Sequence, residues 1–196
     1  GMIMRAVMRV VLGWGGPRKQ ILGVALSGII EAVGDQVKNF KVDDEVYAAT
    51  GFQFGAYGEY TTISEKKTVV LKPKKATFEE AAVIPFGGTT ALYFLQKAGV
   101  VESKGKKVLV YGASGAVGTA AVQIAKHYGA EVTAVCSEDG MELVKSLGAD
   151  SVIVYTRENF TKSNEQYQII FDAVGKTTKK VCVKILAPKG IFVTVE

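Results

Sequence analysis

Lys106-Lys107-Val108-Leu109-Val110-Tyr111-Gly112-Ala113-Ser114-Gly115-Ala116-Val117-Gly118 reads as a buried strand, a glycine-rich turn and the start of an amphipathic helix running to Tyr128. That order is what a dinucleotide pyrophosphate site requires. The strand delivers the turn to the carboxyl edge of a sheet, small residues let the backbone approach phosphate, and the helix start offers free N–H groups at a positive dipole end. A glycine triplet alone would carry little weight; its strand–turn–helix setting makes the signal specific.

The pattern around this stretch is regular. After Lys106, a strand at 107–111, a helix at 116–128, a strand at 131–136, a helix at 139–147 and strands at 151–154 and 168–172 follow one another. A helix at 176–186 and a strand at 190–195 complete the series. Near-continuous apolar strands alternating with helices predict a doubly wound parallel sheet, covered by helices on both faces. The helix after the glycine turn carries Val117, Ala121, Ile124 and Tyr128 on one stripe, which should pack on the sheet. His127, the only histidine, borders that stripe at the far end from the turn and reads as structural or surface.

Upstream the chain changes character. From Ile21 to Leu71, apolar runs alternate with Gly, Asp and Lys turns, and Val24 to Val33, Glu45 to Thr50, Gly58 to Ser64 and Thr68 to Leu71 read as strands. Pro73 ends that pattern. Thr77 can cap a short helix whose first turn holds Glu79 and Glu80, and a second helix spans Gly88 to Ala98 with Gly99 placed for its C-cap. The expected organisation is a β-rich domain over 1–75, connecting helices over 76–105 and a nucleotide-binding domain over 106–196.

Bulk properties restrict the function classes. With 48% hydrophobic residues in 196, the chain can bury a core without disulfides. Cys136 and Cys182 form no Cys-x-x-Cys, and two cysteines with one histidine do not assemble a zinc site of the usual kind. The net charge of +5 is scattered over short lysine clusters at element ends, without the aromatic array that nucleic-acid binding would use. The run Met2 to Leu12 is apolar but broken by Arg5 and Arg9, too short for a bilayer and without a signal-peptide cleavage site. The expectation is a cytoplasmic protein with neither a membrane nor a nucleic-acid partner.

Seven motifs fall in a fixed order. They are Gly28-Ile29-Ile30-Glu31-Ala32-Val33-Gly34, Phe40-Lys41-Val42-Asp43-Asp44-Glu45-Val46-Tyr47, Gly58-Glu59-Tyr60, Gly88-Thr89-Thr90-Ala91-Leu92, Gly112 to Gly118, Leu147-Gly148-Ala149-Asp150 and Phe171-Asp172-Ala173-Val174-Gly175. By this set the chain resembles the medium-chain dehydrogenase/reductase superfamily, specifically its zinc-free, NADPH:quinone reductase-like branch, from Gln20 to Val195. The resemblance implies a Rossmann sheet of order 3-2-1-4-5 preceded by a partial GroES-like β domain. It also implies hydride transfer from NADPH to a quinone, enone or related carbonyl, without zinc and without a universal side-chain acid or base. The alternative is a truncated nucleotide-binding module without turnover.

Carried over residue by residue, the resemblance puts Ser114, Gly115, Ala116 and Val117 along the pyrophosphate, with Gly112 and Gly118 serving the tight turn and close helix–strand packing. Thr90 matches a threonine near the nicotinamide, its plainer reading being a helix N-cap. Val174 and Gly175 match backbone positions flanking the nicotinamide ribose, and their plainer reading is a strand-to-helix turn. Cofactor choice falls at the end of the strand Val132 to Cys136, where an acidic side chain would accept a ribose 2′-hydroxyl and repel a 2′-phosphate. None stands there, which leans toward NADPH while leaving NADH open. Ser137 can donate to phosphate, and Tyr155 matches a family tyrosine near the adenosine. A lysine frequent after this strand corresponds to Gly140, preceded by Glu138 and Asp139, two carboxylates that would weaken phosphate binding.

Three departures from the family are legible. Ala25 stands where an acidic residue is common, which further disfavours metal. Asp43 replaces a common glycine, in a turn that aspartate tolerates. Relative to the family, the opening strands of the catalytic domain and the sixth strand of the nucleotide domain are missing. The expected consequences are exposed apolar surface at 2–12 and 24–33, and an unpaired sheet edge at 190–195 that favours a homo-oligomer.

Overall fold

The computed structural model describes residues 19–195, so the 2–12 surface lies outside the described residues. The chain divides into two compact units, 1–85 and 86–196.

In the first unit, β1 (Ala25–Ile29), β2 (Glu45–Ala49) and β3 (Val69–Leu71) form an antiparallel sheet in that order. Val46 and Ala48 alternate inward along β2, the period a half-buried strand requires. Helix α1 (Phe78–Val83) starts at a complete capping box, in which Thr77 Oγ1 accepts the Glu80 N–H and Glu80 accepts the Thr77 N–H. Ser27 Oγ donates to the Phe78 carbonyl and ties this helix to β1. Asp43 adopts φ 71°, so the aspartate does occupy the left-handed turn position. The expected strand at 58–64 does not form. Its segment closes on itself, with the Gly58 N–H bonded to the Gly55 carbonyl and Gln53 Nε2 to the Thr62 carbonyl. A period-2 pattern becomes a strand only beside a partner strand, and none of the three described strands takes it. Val24, Ile29 and Val33 are exposed, as expected for 24–33.

In the second unit, β4 (Lys107–Tyr111), β5 (Glu131–Cys136), β6 (Ser151–Val154), β7 (Tyr167–Asp172) and β8 (Leu186–Thr194) form a parallel sheet ordered β6-β5-β4-β7-β8, the expected 3-2-1-4-5. Helices α2 (Thr89–Lys97), α3 (Ala116–His127) and α4 (Met141–Ser146) accompany it. Leu95, Ala121, Val122 and Val144 pack with Val108, Val110, Val132 and Phe171 in one core. Leu109, Val135 and Ile170 point the other way, to Tyr167, Cys182 and Ile185, with Phe160 lying over that face.

The helix expected at 176–186 shrinks to α5 (Lys179–Cys182), and the last strand starts earlier, at Leu186. Ile185 is already buried, its carbonyl accepting the Tyr167 N–H at 2.8 Å. The irregularity at Pro188-Lys189-Gly190, with Lys189 at φ 60°, then shifts the register between Tyr167 and Ile169. Pairing with β7 thus captures residues that helical periodicity alone assigned to the helix.

Candidate functional site

The candidate site is built at the carboxyl edge of the second unit's sheet. β4 ends at Tyr111, and the N–H groups of Gly112 and Ala113 both donate to the Val135 carbonyl, at 2.9 and 3.0 Å. The chain therefore leaves the sheet over β5 and turns at once into α3. Gly112 has φ +77°, and a side chain there would strike Val174 Cγ2. A side chain at Gly118 would strike the Gly112 carbonyl oxygen and come within 2.7 Å of Ala113 Cα. The two glycines are thus fitted to each other.

Gly115 is the N-cap of α3 and supplies no side-chain cap. Its carbonyl accepts the Thr119 N–H at 2.8 Å, so the N–H groups of Ala116, Val117 and Gly118 precede the first intrahelical bond. Helices α1 and α5 have threonine caps and α2, α3 and α4 have none; of these, α3 starts directly from the glycine turn that leaves β4 at the sheet edge. That is the arrangement that favours an anion.

Three other segments converge on this turn. The first is the loop after β7, where buried Asp172 accepts the N–H groups of Val174 and Gly175 at Oδ1, both at 2.9 Å, and of Thr177 at Oδ2, at 2.8 Å. This carboxylate organises the loop, and with their N–H groups committed, Val174 and Gly175 have only their carbonyls left as backbone hydrogen-bonding groups. The sequence reading passed over Asp172; its signal was an Asx-type residue at a strand end, followed by glycine.

The second is the start of α2, where the Ala116 carbonyl lies against Gly87, in the space a side chain there would fill. Thr90 is half-buried in the first turn of α2, and the N-cap is Gly88, so the N-cap alternative for Thr90 does not hold.

The third is the loop after β5. Ser137 caps the short turn Glu138–Gly140 in backbone terms, but its hydroxyl makes no cap bond. Gly140 is buried, and a side chain there would meet Ser114 Cβ at 2.5 Å and Oγ at 2.7 Å. The comparison of Gly140 with a phosphate-binding lysine fails for that reason: no side chain reaches a ligand from this position. Glu138 is not a free carboxylate, because Arg157 pairs with it. Tyr155 is exposed on the neighbouring strand end, where its N–H donates to the Cys136 carbonyl at 3.1 Å.

The remaining candidates separate from this site. His127 ends α3, the length of that helix away from Gly115. Burial pushes the Cys136 thiol up, which makes it a poor nucleophile, and pushes Tyr111 up as well, with the Asp172 carboxylate adding to it. A cavity of ≈ 420 Å³ opens at the opposite, amino edge of the sheet, where Lys107 is paired with Glu131 and Glu165. Among the described residues no three His, Cys, Asp or Glu side chains gather into a metal-binding group, and no helix is long and apolar enough to cross a membrane.

Comparison with known proteins agrees with this architecture. Residues 4–74 match the alcohol dehydrogenase GroES-like domain family and residues 116–195 the zinc-binding dehydrogenase family. The chain is 44% identical over 176 residues to a 2-methylene-furan-3-one reductase of Solanum lycopersicum, covering 85% of this chain and 45% of the relative. It is 40% identical over 179 residues to the chloroplastic NADPH-dependent alkenal/one oxidoreductase of Arabidopsis thaliana, with the same coverage of 85% and 45%. The quinone oxidoreductase structure from Coxiella burnetii superposes with a TM-score of 0.79 at 32% identity, over 88% of this chain and 55% of that one. The chain thus spans about half the length of the relatives it matches. Two family matches in the expected order, one on each unit, and a five-stranded sheet with its glycine turn establish that the chain belongs to the medium-chain dehydrogenase/reductase superfamily.

Proposed function

We propose that this chain is the cofactor-binding part of a zinc-independent oxidoreductase that uses NADPH to reduce a quinone, enone or related conjugated carbonyl. The observation that carries the proposal is the uncapped start of α3, seated on the Gly112–Gly118 turn and ringed by the Val174, Thr90 and Ser137 segments. The spaces that side chains at Gly112 and Gly118 would fill suit a backbone that must come close to phosphate. The names of the relatives support the substrate class, since alkenals, alkenones, 2-methylene-furan-3-one and quinones all conjugate a carbonyl with a double bond.

When bound, NADPH supplies a hydride from nicotinamide C4 to the electron-poor carbon of such a substrate. The chain's own contribution is alignment. Ala116, Val117 and Gly118 offer N–H groups to the pyrophosphate, beside Ser114 and Gly115. Thr90 offers a hydroxyl and Val174 and Gly175 offer carbonyls at the nicotinamide end, while Asp172 holds that loop in one shape. Ser137 and Tyr155 serve the adenosine end. Positioning of this kind is the main source of rate where no side-chain acid or base takes part.

NADPH titration followed by intrinsic fluorescence, together with reduction assays on a quinone and an enone, tests the reading. Binding with turnover supports the reductase. Binding without turnover reduces it to a nucleotide-binding module, and no binding at millimolar NADPH would sink both.

A further inference from the structure

Arg157 is the one arginine between residues 19 and 195. It stands three residues past the end of β6, its N–H bonded to the Val154 carbonyl at 2.9 Å. Val154 pairs with Cys136, the last residue of β5. The register therefore sets Arg157 beside the Ser137–Gly140 loop, where the adenosine ribose of a dinucleotide lies in this architecture. Its guanidinium pairs with Glu138, and both side chains remain largely exposed, at 63% and 53%. A pair so open to water is held weakly and can exchange partners.

We propose that Arg157 is the residue that reads the 2′-phosphate of NADPH, with Glu138 holding its guanidinium at the ribose end until the phosphate arrives. The assignment rests on the cofactor reading above and names a determinant that reading left open. Glu138 and Asp139 alone would repel a 2′-phosphate. Arg157 offsets one of those two charges, and its planar fork can bind two phosphate oxygens at once, which a lysine cannot do. With Ser137 the site then offers a cationic fork and a hydroxyl to the same group. When the ribose carries a 2′-hydroxyl instead, the Glu138 carboxylate can accept it, which gives NADH a weaker foothold. The preference between the two cofactors is then a competition between Arg157 and Glu138.

The test measures NADPH, NADH and 2′,5′-ADP binding to the wild type and to Arg157→Gln, Arg157→Lys and Glu138→Gln, all at one ionic strength. Arg157→Gln should weaken NADPH and 2′,5′-ADP roughly 10- to 100-fold, the range for a lost charge-assisted hydrogen bond, and leave NADH nearly unchanged. Arg157→Lys should recover only part of the loss. Glu138→Gln should weaken NADH and not NADPH. Equal effects of Arg157→Gln on both dinucleotides, or unchanged NADPH affinity, overturn the assignment while the cofactor reading stands. A wild type that binds neither dinucleotide overturns both. Thermal melting of each variant shows that the exposed substitutions leave the fold intact.

Discussion

The buried carboxylate of Asp172 accepts the backbone N–H of Gly175 at 2.9 Å, and the same oxygen accepts that of Val174. With the Thr177 N–H on its other oxygen, Asp172 satisfies three backbone donors in a loop that has no regular structure to satisfy them. Asp172→Ala would take the partner from three donors that are only partly buried, at a cost of about 2–3 kcal/mol. Asp172→Asn keeps one acceptor oxygen and turns an amide toward Thr177, so it should cost less, about 1–2 kcal/mol. Urea unfolding would measure both. Equal stability of Asp172→Ala and the wild type would remove Asp172 from its role as organiser of the loop.

Gly112 and Val174 belong to different loops yet share one space, since a side chain on the first would overlap Cγ2 of the second. Gly112→Ala should cost about 1–2 kcal/mol for its left-handed backbone, with about 1 kcal/mol more from the overlap. Val174→Ala should recover the second part only. A double-mutant cycle on unfolding free energies reads that coupling; strict additivity would mean the two loops adjust independently.

Gly140 and Ser114 couple the loop after β5 to the glycine turn in the same way. Gly140→Ala should destabilise by about 1–3 kcal/mol and displace Ser114, which weakens NADPH binding. Ser114→Gly in the same chain should restore most of the stability without restoring full affinity, because the Ser114 hydroxyl is gone. Titration calorimetry beside thermal melting separates the two effects.

Acid stability should depend on Asp150. Burial pushes its carboxyl up, but the hydrogen bonds from Lys126 Nζ, at 2.8 Å to each oxygen, and from the Val132 N–H outweigh it and hold the group below the usual aspartate range. A carboxyl whose folded pKa is depressed adds stability above its unfolded pKa and loses it as pH falls through the folded one. The wild type should therefore lose stability below about pH 4, and Asp150→Asn should lose less over that range, starting from a lower plateau. The carboxylate is partly exposed, so solvent screens the effect. Melting temperatures from neutral to acid pH check it; parallel curves for the two proteins would count against Asp150.

Much of this was legible in the chain. The five parallel strands and the turn at Gly112–Gly118 followed from apolar periodicity and a glycine spacing, because both are local, while the strand order came from the resemblance to the family. The errors share one cause. The strand expected at 58–64 and the helix expected through 186 depended on which partner each segment would meet. Thr90 was open between two roles until the turn before it made Gly88 the N-cap.

The sequence by itself determined the family, through seven motifs in a fixed order, and the sheet with its glycine turn, whose strand pattern, glycine spacing and helix start all lie within one short stretch. Tertiary structure decided what surrounds that turn. Asp172 as loop organiser, Gly140 as a seat for Ser114 and Arg157 as the partner of Glu138 join residues distant in sequence or bent back on themselves. Such relationships follow from strand register and loop closure, which fix distances between segments that no local pattern encodes.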